Sequence, residues 1–284
     1  MIIINPIKER ILQQLAHYKF LTVSQFITLG VGHLSKVREG TGQLTELGLT
    51  KHAEYATTKR KKGQAERIHF LTRKGVKILM EELGYREDQI KYPRSVNSIF
   101  KSDYFHRIST INTRISYEKW AKENCFEQSF FDTYFDKVGS QRNQEETGAL
   151  HSLTQIKFHD GHYVQTDAIF SYMKPDMKPK LWMLEVWNGN NTKNVIERME
   201  ELRNAIQEGI PSEKYNLQVP SKVINTFEFE GNMKAVIKGL SQKNEFSLGG
   251  IENYFYFGLA ESIWQNFDDS FVNLKGEKIN MSDL

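Results

Sequence analysis

Asp167 and Glu185 are the two residues whose spacing most directly suggests chemistry, because the sequence between them reads as a hairpin that sets one carboxylate against the other. Tyr163 to Tyr172 and Lys180 to Trp187 are short runs rich in aliphatic and aromatic residues. The connector MKPDMKP holds two prolines that stop either strand. With the turn centred on Asp176, one face pairs Thr166 with Val186, Ala168 with Leu184 and Phe170 with Trp182, and this face is core. The other pairs Gln165 with Trp187, Ile169 with Met183 and Asp167 with Glu185, Cβ atoms roughly 5 Å apart. Like charges so placed repel, and more strongly away from water, so the pair requires a cation, a shared proton or a basic side chain. Oxygen-only ligation points to a hard divalent ion, magnesium or manganese. A register shifted by two residues would instead leave both acids solvated.

The elements that must position this pair begin well before it. Residues 5 to 19 read as a helix with Pro6 in its first turn, Thr22 caps a short helix VSQFITLG, and a third helix starts near Leu34. Gly40 and Gly42 are awkward inside that third helix, each costing about 1 kcal/mol against alanine, which predicts a helix that is short or broken there. Leu49 to Ala56 and Arg67 to Leu71 read as strands flanking TTKRKKGQAE, and Thr72 caps a helix RKGVKILMEEL. This is the order of a winged helix-turn-helix. Lys36 and Arg38 fall on the recognition helix and Lys59, Arg60, Lys61 and Lys62 at the tip of the wing, dividing contacts between base edges and phosphates. Residues 84 to 103 lack a clear period and read as a linker. Tyr104 to Asn124 then has helical spacing, Phe126 to Phe135 is a strand or two, and residues 137 to 157 form a polar loop. Asn191 or Thr192 caps a helix with Val195, Met199, Leu202 and Ile206 inward and Glu197, Arg198, Glu200, Glu201 and Arg203 on its polar face. Two more strands and a helix follow, with the tail after Glu261 unassigned.

Composition agrees with two modules. At 284 residues and 39% hydrophobic content the chain can bury two ordinary cores. MIIINPIKER is neither a signal peptide nor a spanning helix, and the single cysteine, Cys125, excludes an internal disulfide and a multi-cysteine zinc site. A reducing, cytoplasmic setting is expected. Residues 1 to 103 hold 18 Lys and Arg against 10 Asp and Glu, and the remainder 20 against 25, so a +8 module precedes a −5 one. The first is expected to meet a polyanion, double-stranded DNA. Domains are expected at 1–90, a linker at 91–103 and a second domain at 104–284.

The order helix, strands with an acidic hairpin, helix, strand resembles the core of the restriction-endonuclease-like nucleases, the PD-(D/E)xK superfamily. Together with the LTRKG helix, FHRISTIN, TDAIF and LEVWNGNNTK, it looks like the replication-relaxation family, which includes relaxases of the MobC kind from mobilisable plasmids, over about residues 5 to 210. The resemblance implies an α+β chain, a winged helix followed by a nuclease-like domain. It implies Asp167 and Glu185 as metal ligands of a magnesium-dependent nickase; Glu118 on the first helix could add a ligand, with a surface glutamate the plainer alternative. His106 matches a histidine at the start of that family's linking helix, and a packed or helix-surface histidine is the alternative. Trp187 stands where the pattern has lysine, so Lys193 on the next helix is the candidate for the functional amine, beside a solvated lysine as the plainer alternative. Asn188, Gly189 and Asn190 would let the backbone pass close to a phosphate. Expected partners are an origin-type DNA site and either a second copy of the chain or mobilisation-complex proteins, with no membrane. The rival expectation is a non-enzymatic winged-helix regulator or origin-recognition accessory with a degenerate nuclease domain.

Overall fold

Local caps define the helices of the N-terminal third. In the computed structural model, which describes residues 4–55, 65–93, 103–139, 150–175, 177–247 and 250–284, Asn5 Oδ1 accepts from Lys8 N to start α1 (Pro6–Tyr18). Thr22 and Gln25 form a reciprocal capping box at α2 (Val23–Thr28). Helix α3 (Leu34–Glu46) runs unbroken through both glycines. The expectation of a short or broken helix is corrected by packing: a Cβ on Gly40 would lie 2.8 Å from Ile11 Cδ1, so the residue lets α3 close on α1, whereas Gly42 faces open space. Strands β1 (Thr50–Ala53) and β2 (Ile68–Leu71) pair antiparallel and lead into α4 (Arg73–Leu83), which ends on left-handed Gly84.

The LTRKG segment is architectural. Thr72 Oγ1 donates to the carbonyls of Gly48 and Leu49 and accepts from Gly75 N, while a Cβ on Gly75 would stand 2.2 Å from Leu49 O. The linker reading also needs correction at its start, because Ile90 is buried and Lys91 N donates to Ala16 O at 2.7 Å. Residues up to there belong to the first of two compact units, Met1–Tyr104 and Phe105–Leu284. Lys59, Arg60, Lys61 and Lys62, expected at the tip of a wing, lie outside the described residues.

The second unit is built on a seven-stranded mixed sheet, so the protein is a mixed α+β chain. Helix α5 (Tyr104–Glu123) leads to β3 (Glu127–Thr133). The expected polar loop contains β4 (Lys137–Val138), β5 (His151–Ser152) and β6 (Gln155–Lys157). The first predicted hairpin strand divides into β7 (Tyr163–Gln165), which pairs with β6, and β8 (Ala168–Met173). Then come β9 (Lys180–Trp187), α6 (Thr192–Gln207), α7 (Ile210–Lys214), β10 (Ser221–Phe227), α8 (Glu230–Ser241), α9 (Asn244–Ser247), β11 (Phe255–Leu259), α10 (Ala260–Gln265), β12 (Phe271–Val272) and β13 (Lys278–Ile279). Sheet order is β13-β12-β11-β10-β9-β8-β3, with β9, β10 and β11 parallel.

Alternation along the strands fills two cores, one on each face. Ile169, Leu181 and Met183 meet Val195, Met199 and Leu202 of α6 and Val236 and Leu240 of α8. Phe170, Tyr172, Trp182 and Leu184 meet Tyr117 and Trp120 of α5 and Ile263 of α10. No described helix is long and apolar enough to cross a membrane.

Candidate active site

The register of β8 on β9 determines where the acids fall. Ala168 faces Leu184, Ile169 faces Met183 and Phe170 faces Trp182, the pairing read from the turn at Asp176. One step further the ladder changes character. Asp167 N still donates to Leu184 O at 3.0 Å, but the backbone turns away, and Asp167 Oδ2 accepts from Val186 N at 2.7 Å. The carboxylate thus takes the place of a strand carbonyl, which is why β7 can leave the sheet and pair with β6.

Asp167 is 8% exposed, and its other oxygen, Oδ1, lies 2.6 Å from His106 Nε2, in the first turn of α5. The His106 ring sits edge-on to Tyr134 at 5.6 Å between centroids, and Tyr134 N in turn donates to Asp167 O at 3.0 Å. Histidine and carboxylate are therefore held by neighbours that hold each other.

Glu185 projects from β9 toward α6 and is 4% exposed. Burial first, and then the charge of Asp167, push its carboxyl well above the usual range; Arg198 and His106 oppose that rise. Arg198 Nε stands 3.3 Å from Glu185 Oε1, an ion-pair distance without the alignment of a hydrogen bond. The guanidinium is itself clamped, donating to Glu201 Oε2 at 2.9 Å and to Gln165 O. Glu185 favours the charged form of Arg198 against the cost of its burial. The expected ladder pairs of Asp167 with Glu185 and Gln165 with Trp187 are not formed, since the ladder ends at Ala168 and Gln165 pairs with Gln155; the two acids are neighbours, and the fold supplies a basic side chain to each.

Arg198 is the residue that sequence reasoning placed on a solvated face. A signal for it existed: it lies three residues after Val195 and four before Leu202, within the stripe that packs on the sheet. Lys193 lies elsewhere, its side chain 83% exposed and its ammonium 3.6 Å from Glu197. Trp187 occupies the lysine position of the pattern and donates from Nε1 to Asn225 Oδ1 at 3.1 Å. Glu118 is taken up by Arg114 at 2.6 Å, and Arg114 lies over Phe131. After β9, Asn188 Oδ1 lies 3.5 Å from Ser109 Oγ, and Gly189 O accepts from Asn232. Gly189 has open space around its Cα. On α3, Lys36 is exposed and paired with Glu39 at 3.0 Å, and Arg38 is exposed beside it, while Val37, Gly40 and Leu44 face inward.

Among the described residues no three His, Cys, Asp or Glu side chains converge as a metal-ligand set. The pair Asp167 and Glu185 still fits a hard divalent ion in chemistry: both are carboxylates, Asp167 just before β8 and Glu185 on the adjacent β9, and Glu185 Oε1 is a buried acceptor without a hydrogen bond. No family model, curated protein or solved structure matches the chain.

Proposed function

We propose that the protein binds double-stranded DNA through its N-terminal unit, read as a winged helix, and cuts one strand with its second unit, read as nuclease-like, in the mobilisation or replication initiation of a plasmid or similar element. The observation that carries the reading is the meeting of Asp167, Glu185, His106 and Arg198 at one end of the sheet, where β9 ends and α5 and α6 begin. Ligands of open α/β sheets bind beyond the carboxyl ends of the strands, and this is that end for β9 and β10.

Asp167 and Glu185 would hold the metal, magnesium or manganese. When bound, such an ion polarises a phosphate oxygen and lowers the pKa of a coordinated water. Arg198 is then the cation beside the developing negative charge, taking the role assigned by sequence to Lys193. His106 keeps Asp167 oriented through Oδ1 and holds a proton at Nε2 toward it. Exposed Lys36 and Arg38 would face the duplex, with the wing lysines and arginine on phosphates.

Incubation of the full chain with supercoiled plasmid carrying candidate origin DNA, with magnesium, with manganese and with chelator, tests the reading. Metal-dependent conversion to open circles is expected, and its loss in Glu185→Gln and Arg198→Met. A second reading, a DNA binder whose nuclease-like unit is degenerate, is favoured by the Arg198 ion pair already satisfying Glu185 and by Trp187 in the lysine position. DNA binding without any metal-dependent nicking would establish that reading instead.

A further inference from the structure

The opposite end of the same sheet gathers amines rather than acids. Lys174 follows β8, Lys180 opens β9 and Lys222 sits near the start of β10. Register brings them together, since Tyr172 faces Lys180 and Trp182 faces Lys222. Lys222 Nζ lies 5.5 Å from the ring centroids of both Trp182 and Tyr256 and 3.3 Å from Tyr256 Oη. Lys174 Nζ donates to Ser282 O at 2.6 Å and lies over Phe126. Asp268 and Asp283 lie near Lys174 and favour its charged form. Among the described residues neither Lys180 nor Lys222 meets a carboxylate.

Two buried polar atoms on the same face have no aligned hydrogen-bond partner: Trp182 Nε1 and Tyr172 Oη. Trp182 Nε1 faces the Tyr172 hydroxyl without hydrogen-bond alignment, the rings stacked at 6.5 Å. Half-buried like charges without a counter-ion repel, and aromatic faces offset that only in part. The strain is visible in Lys222, whose ammonium is brought down to about 8 by burial first and then by Lys180 and Lys174.

We propose that Lys180 and Lys222, backed by Lys174, form a site for a phosphate group, distinct from the acidic end of the sheet. The two ends are separated along β9 by five residue steps from Lys180 to Glu185, roughly 17 Å at ~3.3 Å per step. The site stands whether or not the acidic end cuts DNA. A tetrahedral oxyanion matches point-charge donors on adjacent strands, two of which, Lys180 and Lys222, have no acid beside them among the described residues. Its source is either a nucleic-acid backbone or a free phosphate, and the two are separable.

The test is acetylation footprinting of the full chain near pH 8, read by mass spectrometry at each lysine. Inorganic phosphate, a duplex oligonucleotide and sodium chloride of equal ionic strength are compared. Phosphate or duplex should slow modification of Lys222 and Lys180 beyond the salt control, and leave exposed Lys193 and Lys77 unprotected. Protection by duplex at concentrations where inorganic phosphate does nothing assigns the site to a nucleic-acid backbone; protection by phosphate alone assigns it to a free phosphate. Lys180→Met, which keeps most of the aliphatic stem, should weaken protection of Lys222 about tenfold, the loss of one charge-assisted contact. No protection by either probe, or equal protection of Lys193, overturns the proposal. So does full protection of Lys222 in a folded Lys180→Met chain.

Discussion

Arg198 Nε and Glu185 Oε1 face each other at 3.3 Å across the gap between α6 and β9, and each is the largest charge near the other. Removing Arg198 leaves the Glu185 carboxyl buried without its cation, and it must then be neutralised by a proton. Arg198→Ala is therefore expected to cost about 3 kcal/mol in urea unfolding, whereas a double replacement, Arg198→Met with Glu185→Met, should recover most of that loss because neither charge remains to be desolvated. If the single and double variants unfold alike, the pair is not coupled.

Asp167 does two jobs with two oxygens. Asp167→Asn keeps an acceptor for Val186 N and should unfold near the native midpoint. Asp167→Ala orphans that amide and should cost about 1 to 3 kcal/mol. Both should abolish metal-dependent nicking. Thermal or denaturant unfolding of the two, measured side by side, separates the structural oxygen from the chemical one.

His69 predicts how the first unit responds to acid. Burial first, then His52 and Arg67, lower its pKa from 6.5 to about 4, and its ring stands between Phe26 and His52. The unfolded chain binds this proton more readily than the folded one, so stability is complete above about pH 6.5 and is lost as pH falls toward 4. The full shift corresponds to about 3 kcal/mol. His69→Phe retains the ring packing and should flatten that part of the stability profile. An unchanged slope between pH 6.5 and 5 would remove His69 as its source.

Two glycines should respond in opposite directions. Gly75→Ala drives a methyl into Leu49 O and should destabilise by about 3 kcal/mol. Gly42→Ala enters open space within α3 and should stabilise by about 1 kcal/mol. Urea midpoints of the two variants decide it.

Replacing Lys59, Arg60, Lys61 and Lys62 by alanine should weaken binding to all duplexes alike. Each phosphate contact removed should lower the slope of log K against log salt by about 0.9. A slope unchanged from the native chain would place these residues away from the DNA.

What the sequence revealed was local or periodic. Thr22 with Gln25, and Thr72 ahead of Gly75, announce helix starts because the capping partners lie three residues apart. The hairpin register was legible because prolines fix the turn and alternation fixes the faces. Arg198 escaped because a charged residue among Glu197, Glu200 and Glu201 resembles solvated surface, and only its place in the buried stripe betrays it. The break at Thr166 and Asp167 was hidden for a different reason: a carboxylate standing in for a carbonyl leaves no trace in hydrophobic pattern. Gly40 and Gly75 were visible as oddities, but the atoms they admit, Ile11 Cδ1 and Leu49 O, come from distant segments.

The bond from Val186 N to Asp167 Oδ2 makes one main-chain amide a witness to the acidic site. Whatever draws electron density from that carboxylate, whether a proton, a cation or a scissile phosphate, weakens the same bond. The Val186 amide should shift in resonance and exchange faster with solvent as the site is occupied. A single nitrogen-15 signal at the end of β9 would then report occupancy without any substrate being cut.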